Sequence, residues 1–96
     1  MVMQRQGDVL VIHGVTIPKW AKRIEGKVVA KGELTGHNHE VEEGVLYEEG
    51  GRRLYLHVEV TTVLRHPEHG PLTLEPGQYE IRLQQEYPDS WLYIVD

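Results

Sequence analysis

The chain has no cysteine and no phenylalanine, a single serine (Ser90) and a single asparagine (Asn38). Without cysteine there are no disulfides, zinc–thiolate clusters, iron–sulfur ligation or thiol nucleophile, which leaves histidine and carboxylate as the strong metal ligands. That lack suits a reducing compartment. Without phenylalanine, core bulk falls to Tyr47, Tyr55, Tyr79, Tyr87, Tyr93, Trp20 and Trp91. No apolar run approaches the roughly 20 residues of a membrane span, and Met1 to Gln6 lacks the apolar stretch of a signal peptide. The expectation is a cytoplasmic protein. Positive charge is also scarce, with ten Lys and Arg against fifteen Asp and Glu and a net charge of −5. Only Lys19, Lys22 and Arg23 form a basic group, so a nucleic-acid partner is not expected. Glycine-rich phosphate loops are absent, and nothing around Ser90 makes it a nucleophile. Few thermolabile residues beside abundant charge suit a thermophilic source.

A length of 96 residues predicts one domain, 1–96, with one modest core. Alternation with period two is strong and helical periodicity weak. Across Arg53 to His66, Leu54, Leu56, Val58, Val60, Thr62 and Leu64 share one parity, which predicts a single long strand with one buried face. His66 shares that parity; His57 has the other and is expected to face solvent. A second alternation follows Pro76-Gly77, with Tyr79, Ile81 and Leu83 inward and Gln85 and Tyr87 as its extension. Shorter strands are expected at Asp8 to His13, Lys27 to Leu34, His39 to Glu48 and Trp91 to Val95. Gly50-Gly51 is expected to make a tight hairpin between Val45–Glu48 and the long strand. Trp20 to Ile24 reads as a loop that lays a tryptophan over one barrel end. Six or seven strands with no room for helical crossovers predict an all-β fold, a small antiparallel barrel or sandwich.

Four of the six histidines fall in two clusters, His37-Asn38-His39 and His66-Pro67-Glu68-His69. Residues at i and i+2 on a strand share a face, and His37 and His39 have the parity of apolar Val41, so both are expected inward. Buried imidazoles need partners for their nitrogens, which a metal, a carbonyl or water can supply. Pro67 and Pro71 stiffen the second cluster. Together the clusters predict a divalent transition-metal site of His37, His39, His66 and His69. Glu43 is the reserve ligand, and Glu40 and Glu68 are further carboxylates. Zn, Ni, Fe, Mn and Cu all suit such a set. Four ligands make a closed structural site; three with an open position permit metal-dependent catalysis on an unknown substrate. Metal is expected to bind poorly below about pH 6, since each ligating imidazole must lose its proton. The alternative from another class is a metal-free interaction module or homodimer, with a histidine rim or exposed sheet edges as its contact surface.

The stretch from Gly32 to Gly77 resembles the two cupin motifs. His37, His39, Glu43 and Gly50 follow the first. In the second, Gly70 and Pro76 keep their separation while Glu80 stands where cupins have histidine. The chain is also similar to a group of small, mostly uncharacterised bacterial and phage proteins. The shared segments are Gln6-Gly7-Asp8-Val9, Gly32 to His39, His66 to Pro71 and Leu74 to Tyr79, running on to Gln85-Glu86-Tyr87. This resemblance implies that both histidine clusters belong to a common pattern, and it brings no activity.

Overall fold

A computed structural model describes residues 2–31, 36–51 and 53–83. Ten strands form two antiparallel sheets: β1 (Met3–Gln6), β2 (Val9–His13), β3 (Lys22–Ile24), β4 (Val28–Ala30), β5 (His39–Val41), β6 (Val45–Glu49), β7 (Arg53–Val58), β8 (Thr62–Arg65), β9 (Leu72–Leu74) and β10 (Gly77–Leu83). The orders are β1-β2-β10-β7-β6-β3 and β4-β5-β8-β9. Of the two expected architectures the sandwich is the one realised. Two separate sheets face each other, not closed as a barrel, and the described residues include no helix. Val9, Val11, Leu46, Leu56, Val58, Tyr79 and Ile81 from the larger sheet pack with Val29, Val41, Leu64 and Leu74 from the smaller.

The centre of the fold is a long hairpin bent over a corner. β6 pairs β7 in the larger sheet, while β5, just before, pairs β8, just after, in the smaller. Its tip carries Gly50-Gly51, with φ of +58° and +67°, backbone that glycine adopts without steric cost. At the corner the strands fall out of step. Three residues lie between Val41 and Val45 on one side, and six between His57 and Leu64 on the other. The surplus is Glu59, Val60 and Thr61, all exposed. This corrects the single strand expected from Arg53 to His66 and the buried place expected for Val60, which is 71% exposed. Parity survives the corner, so Thr62 and Leu64 are buried as their spacing requires.

β10 buries Tyr79 and Ile81 as its alternation demands. The His39 to Glu48 segment is two strands broken at 42–44, and Lys22–Ile24 is a strand on β6 rather than a loop. Trp20 is 72% exposed; it lies over no barrel end, and its indole N–H donates to the Glu49 carboxylate. His57 is half-buried. The strand expected at Trp91 to Val95, Gln85, Tyr87 and Ser90 lie outside the described residues. Among the described residues no helix is long and apolar enough to cross a membrane.

Candidate functional site

The hairpin that joins the sheets also joins the histidine clusters. In the β5–β8 ladder Glu40 pairs with Arg65 and Val41 with Leu64, so one more step of register sets His39 opposite His66. Their ring centroids are 4.2 Å apart. The loop from β8 to β9 then returns His69 to 4.6 Å from His66, and His37 lies 6.0 Å from His66 on another side. All four clustered histidines therefore meet, with His66 in the middle. A cleft of about 460 Å³ opens beside them, its walls including His37, Asn38, Arg65, His66 and Pro67.

His39 is the buried member, 3% exposed, as its parity with Val41 requires. What holds it is Gln6, the last residue of β1, itself 2% exposed and contributed by the other sheet. The Gln6 amide nitrogen donates to the carbonyls of Leu64 (2.8 Å) and Gly70 (2.9 Å), which bracket the second cluster. Both amide hydrogens are thereby used, so the oxygen faces His39 Nδ1 at 2.9 Å and accepts its proton. One buried side chain thus ties β1, β5 and both ends of the β8–β9 loop. It also fixes the His39 tautomer, placing the lone pair on Nε2. Asp8 Oδ1 lies 3.7 Å from that nitrogen.

The other rings are held differently. His37 is half-exposed, and its Nδ1 is 2.6 Å from Glu68 Oε1, so it donates to the carboxylate. That bond holds the Glu68 carboxyl below its ordinary range. His66 Nδ1 accepts from the Glu68 backbone N–H at 3.0 Å. The His69 ring lies against Gly7, where an added Cβ would stand 2.6 Å from Nε2. Gly7 has φ of +60° and opens the two-residue β1–β2 turn, the position a type II′ turn gives to glycine.

These contacts modify the metal expectation. Among the described residues no three His, Asp or Glu side chains are gathered as a group that holds a metal ion as they stand. With metal–nitrogen bonds of about 2.0–2.1 Å, imidazole centroids on one ion stand roughly 4.5–5.2 Å apart, close to the 4.2 Å of His39–His66 and the 4.6 Å of His66–His69. His39 and His69 are too far apart for one ion, 6.2 Å between centroids with 12° between planes, and His69 Nε2 lies against Gly7. Glu43, the expected reserve ligand, stands elsewhere. Its backbone N–H donates to Thr62 Oγ1, which puts it roughly 13 Å along the ladder from His39 at about 3.3 Å per residue. Glu40 lines the cleft, and Glu68 is engaged with His37.

Burial is the main force pushing the His39 pKa down, to about 4, with His66 and His69 adding to it and Asp8 opposing. His66 is lowered too, first by desolvation and then by His69. His39 is therefore neutral at pH 6, below which the sequence alone placed poor metal binding. His13 stands apart, with Nε2 2.6 Å from Gln4 Oε1 and its ring edge-on to Tyr79 at 4.5 Å.

Reasoning from sequence missed Gln6, Gly7 and Asp8 as parts of this end of the molecule. The available signal was the Gln6-Gly7-Asp8-Val9 segment, one of those on which the sequence resemblance rests. No curated protein and no solved structure matches the chain. The model of a family described as a domain of unknown function, DUF8820, matches residues 5–84, a span that takes in the β1–β2 turn and both histidine clusters, and the chain belongs to that family.

Proposed function

We propose that the histidine end of the sandwich binds one divalent transition-metal ion, with His39, His66 and His69 as nitrogen donors and His37 as the fourth candidate at the cleft edge. The observation that carries this reading is His39. Its Nδ1–H is committed to the Gln6 oxygen, its Nε2 lies 3.7 Å from a carboxylate oxygen, and its ring lies beside those of His66 and His69. A buried ligand histidine whose far nitrogen donates to an oxygen is the usual support for a metal-bound imidazole. The lowered pKa of His39 keeps it in the neutral form a metal requires, and the downward shift at His66 acts in the same direction. Ligation asks for rotation of the exposed His69 ring and for His66 to present a lone pair, both side-chain movements in the β8–β9 loop. The adjoining cleft gives a small molecule access to the ion.

The test is elemental analysis of the untagged protein after reconstitution at neutral pH, beside a variant with His37, His39, His66 and His69 all changed to alanine. The expected result is near one equivalent of metal, lost in the variant. Chelator should lower the melting temperature, because metal at 100 times its Kd adds about 2.7 kcal/mol to the folded state. If metal is absent from both proteins and chelator leaves melting unchanged, the metal reading fails. The surface then becomes a candidate metal-free contact, to be examined by the mass of the protein in solution.

A further inference from the structure

The β1–β2 turn comes from the sheet that carries none of the four clustered histidines, yet each of its residues faces them. Gln6 holds His39, Gly7 leaves room for His69, and Asp8 directs a carboxylate oxygen at His39 Nε2. The last contact is chemically unfinished. Because the Gln6 amide fixes the proton on His39 Nδ1, Nε2 carries a lone pair, and a carboxylate oxygen offers only lone pairs. Two acceptors stand 3.7 Å apart, beyond a hydrogen bond, and a cation between them turns the contact favourable. The separation is a few tenths of an ångström beyond that of two donors on a shared ion. Two donor atoms on one ion, each about 2.0–2.1 Å from it, are roughly 2.9–3.4 Å apart for bond angles between square and tetrahedral.

We propose that Asp8 is the oxygen ligand of this site, taking the role that sequence spacing gave to Glu43. The inference rests on the metal reading above and adds the donor chemistry. A set of imidazole nitrogens with one carboxylate selects borderline first-row divalent ions, from manganese to zinc, over Cu(I), which prefers sulfur. Asp8 is well placed to complete such a set, since its side chain is 67% exposed and moves the few tenths of an ångström required without disturbing packing. It also stands at the surface, so the ion enters past it toward buried His39.

Co(II) titration followed by visible absorption tests this, with wild type, Asp8→Asn, Asp8→Glu and Glu43→Gln compared at pH 7.5. Asn suits turns and keeps the shape of Asp, and melting of the metal-free proteins verifies that each variant is folded. The expected result is one Co(II) bound by wild type and about tenfold or more weaker binding in Asp8→Asn. A changed ligand-field spectrum should accompany the loss in Asp8→Asn, Asp8→Glu should recover part of the affinity, and Glu43→Gln should match wild type. If Asp8→Asn binds cobalt with wild-type affinity and spectrum, Asp8 is not a ligand and the histidine reading stands without it. If wild type takes up no cobalt, nickel or zinc, the metal reading fails and takes this proposal with it.

Discussion

The two halves of the bent hairpin obey the same pairing rules and bury different things. The β6–β7 half contributes Leu46, Leu56 and Val58 to the core and ends in Gly50-Gly51, beside which there is open space. The β5–β8 half also packs apolar side chains, Val41 and Leu64, but its far end holds four histidines, one of them bonded to a buried glutamine. Apolar burial needs only volume and parity. Burial of Gln6 and His39 needs three hydrogen bonds made together, or else their polar atoms lose water without compensation. A fold that accepts this exacting arrangement at one end and avoids it at the other marks the first end as the place where position matters more than stability.

The change that separates the halves most is Gln6→Leu. It leaves the His39 Nδ1–H and the carbonyls of Leu64 and Gly70 without their partner. At 1–3 kcal/mol for each buried group stranded, with partial relaxation, the expected loss is about 4 kcal/mol. Urea denaturation with chelator present measures it. A loss under about 1 kcal/mol would mean that the clamp contributes little to holding the two sheets together at this end.

Acid should act on the same half. The His39 pKa is about 4 in the folded chain, against about 6.5 unfolded. Above pH 6.5 the ring is neutral in both states and its contribution is fully present. As pH falls below 6.5 the unfolded chain gains a proton that the folded chain refuses, so stability drops until the folded ring also titrates. The expected loss is about 2 kcal/mol by pH 5 and about 3 kcal/mol by pH 4. His66, also lowered, works in the same direction. A His39→Gln variant, unfolded by urea across this range in chelator, should have a much flatter profile. An equally steep profile would place the acid sensitivity elsewhere.

Much of the β6–β7 half was legible in sequence because it is built from periodic signals. Alternation gives Leu54, Leu56 and Val58, and paired glycines give the tip. His39 was legible for the same reason, through its parity with Val41. The corner was not, because its three surplus residues leave parity intact, so the alternation of Arg53 to His66 reads straight through Glu59, Val60 and Thr61. β9 is too short to show a period, and β1, with Met3, Gln4, Arg5 and Gln6, has no apolar alternation. Gln6 and Asp8 act through single contacts between sheets, and a contact across 58 or 64 positions of chain leaves no mark on local pattern. The meeting of the clusters was foreseeable as a possibility of a compact β fold, but the β5–β8 register fixes it.

Gly7 and Gly50 offer a matched pair for the same comparison. Their φ values are +60° and +58°, so an alanine is strained at either, by about 1 kcal/mol or more. Their surroundings differ. A Cβ at Gly50 meets nothing within 4 Å, whereas at Gly7 it stands 2.6 Å from His69 Nε2. Gly50→Ala should therefore cost about 1 kcal/mol, and Gly7→Ala about 2 kcal/mol or more, the excess coming from the II′ turn geometry and from displacement of the His69 ring. The His69 imidazole resonances in an NMR spectrum should shift in Gly7→Ala and stay in place in Gly50→Ala. Equal costs and unmoved resonances would mean that His69 does not rest on the turn.

The smallest effect belongs at the corner between the halves. Val60 has the parity of the buried set and would, in an unbroken strand, be a core residue whose replacement by aspartate costs several kcal/mol. In the bent hairpin it lies among the three surplus residues, 71% exposed, with little burial to lose. Val60→Asp should change stability by less than about 0.5 kcal/mol. The same substitution at Val58, two residues earlier and 1% exposed, should be severely destabilising. Because the two positions share parity and residue type, their difference in urea denaturation reports only whether the chain turns the corner between them. Comparable losses at both would restore the continuous strand, and with it a register in which His39 and His66 need not be neighbours.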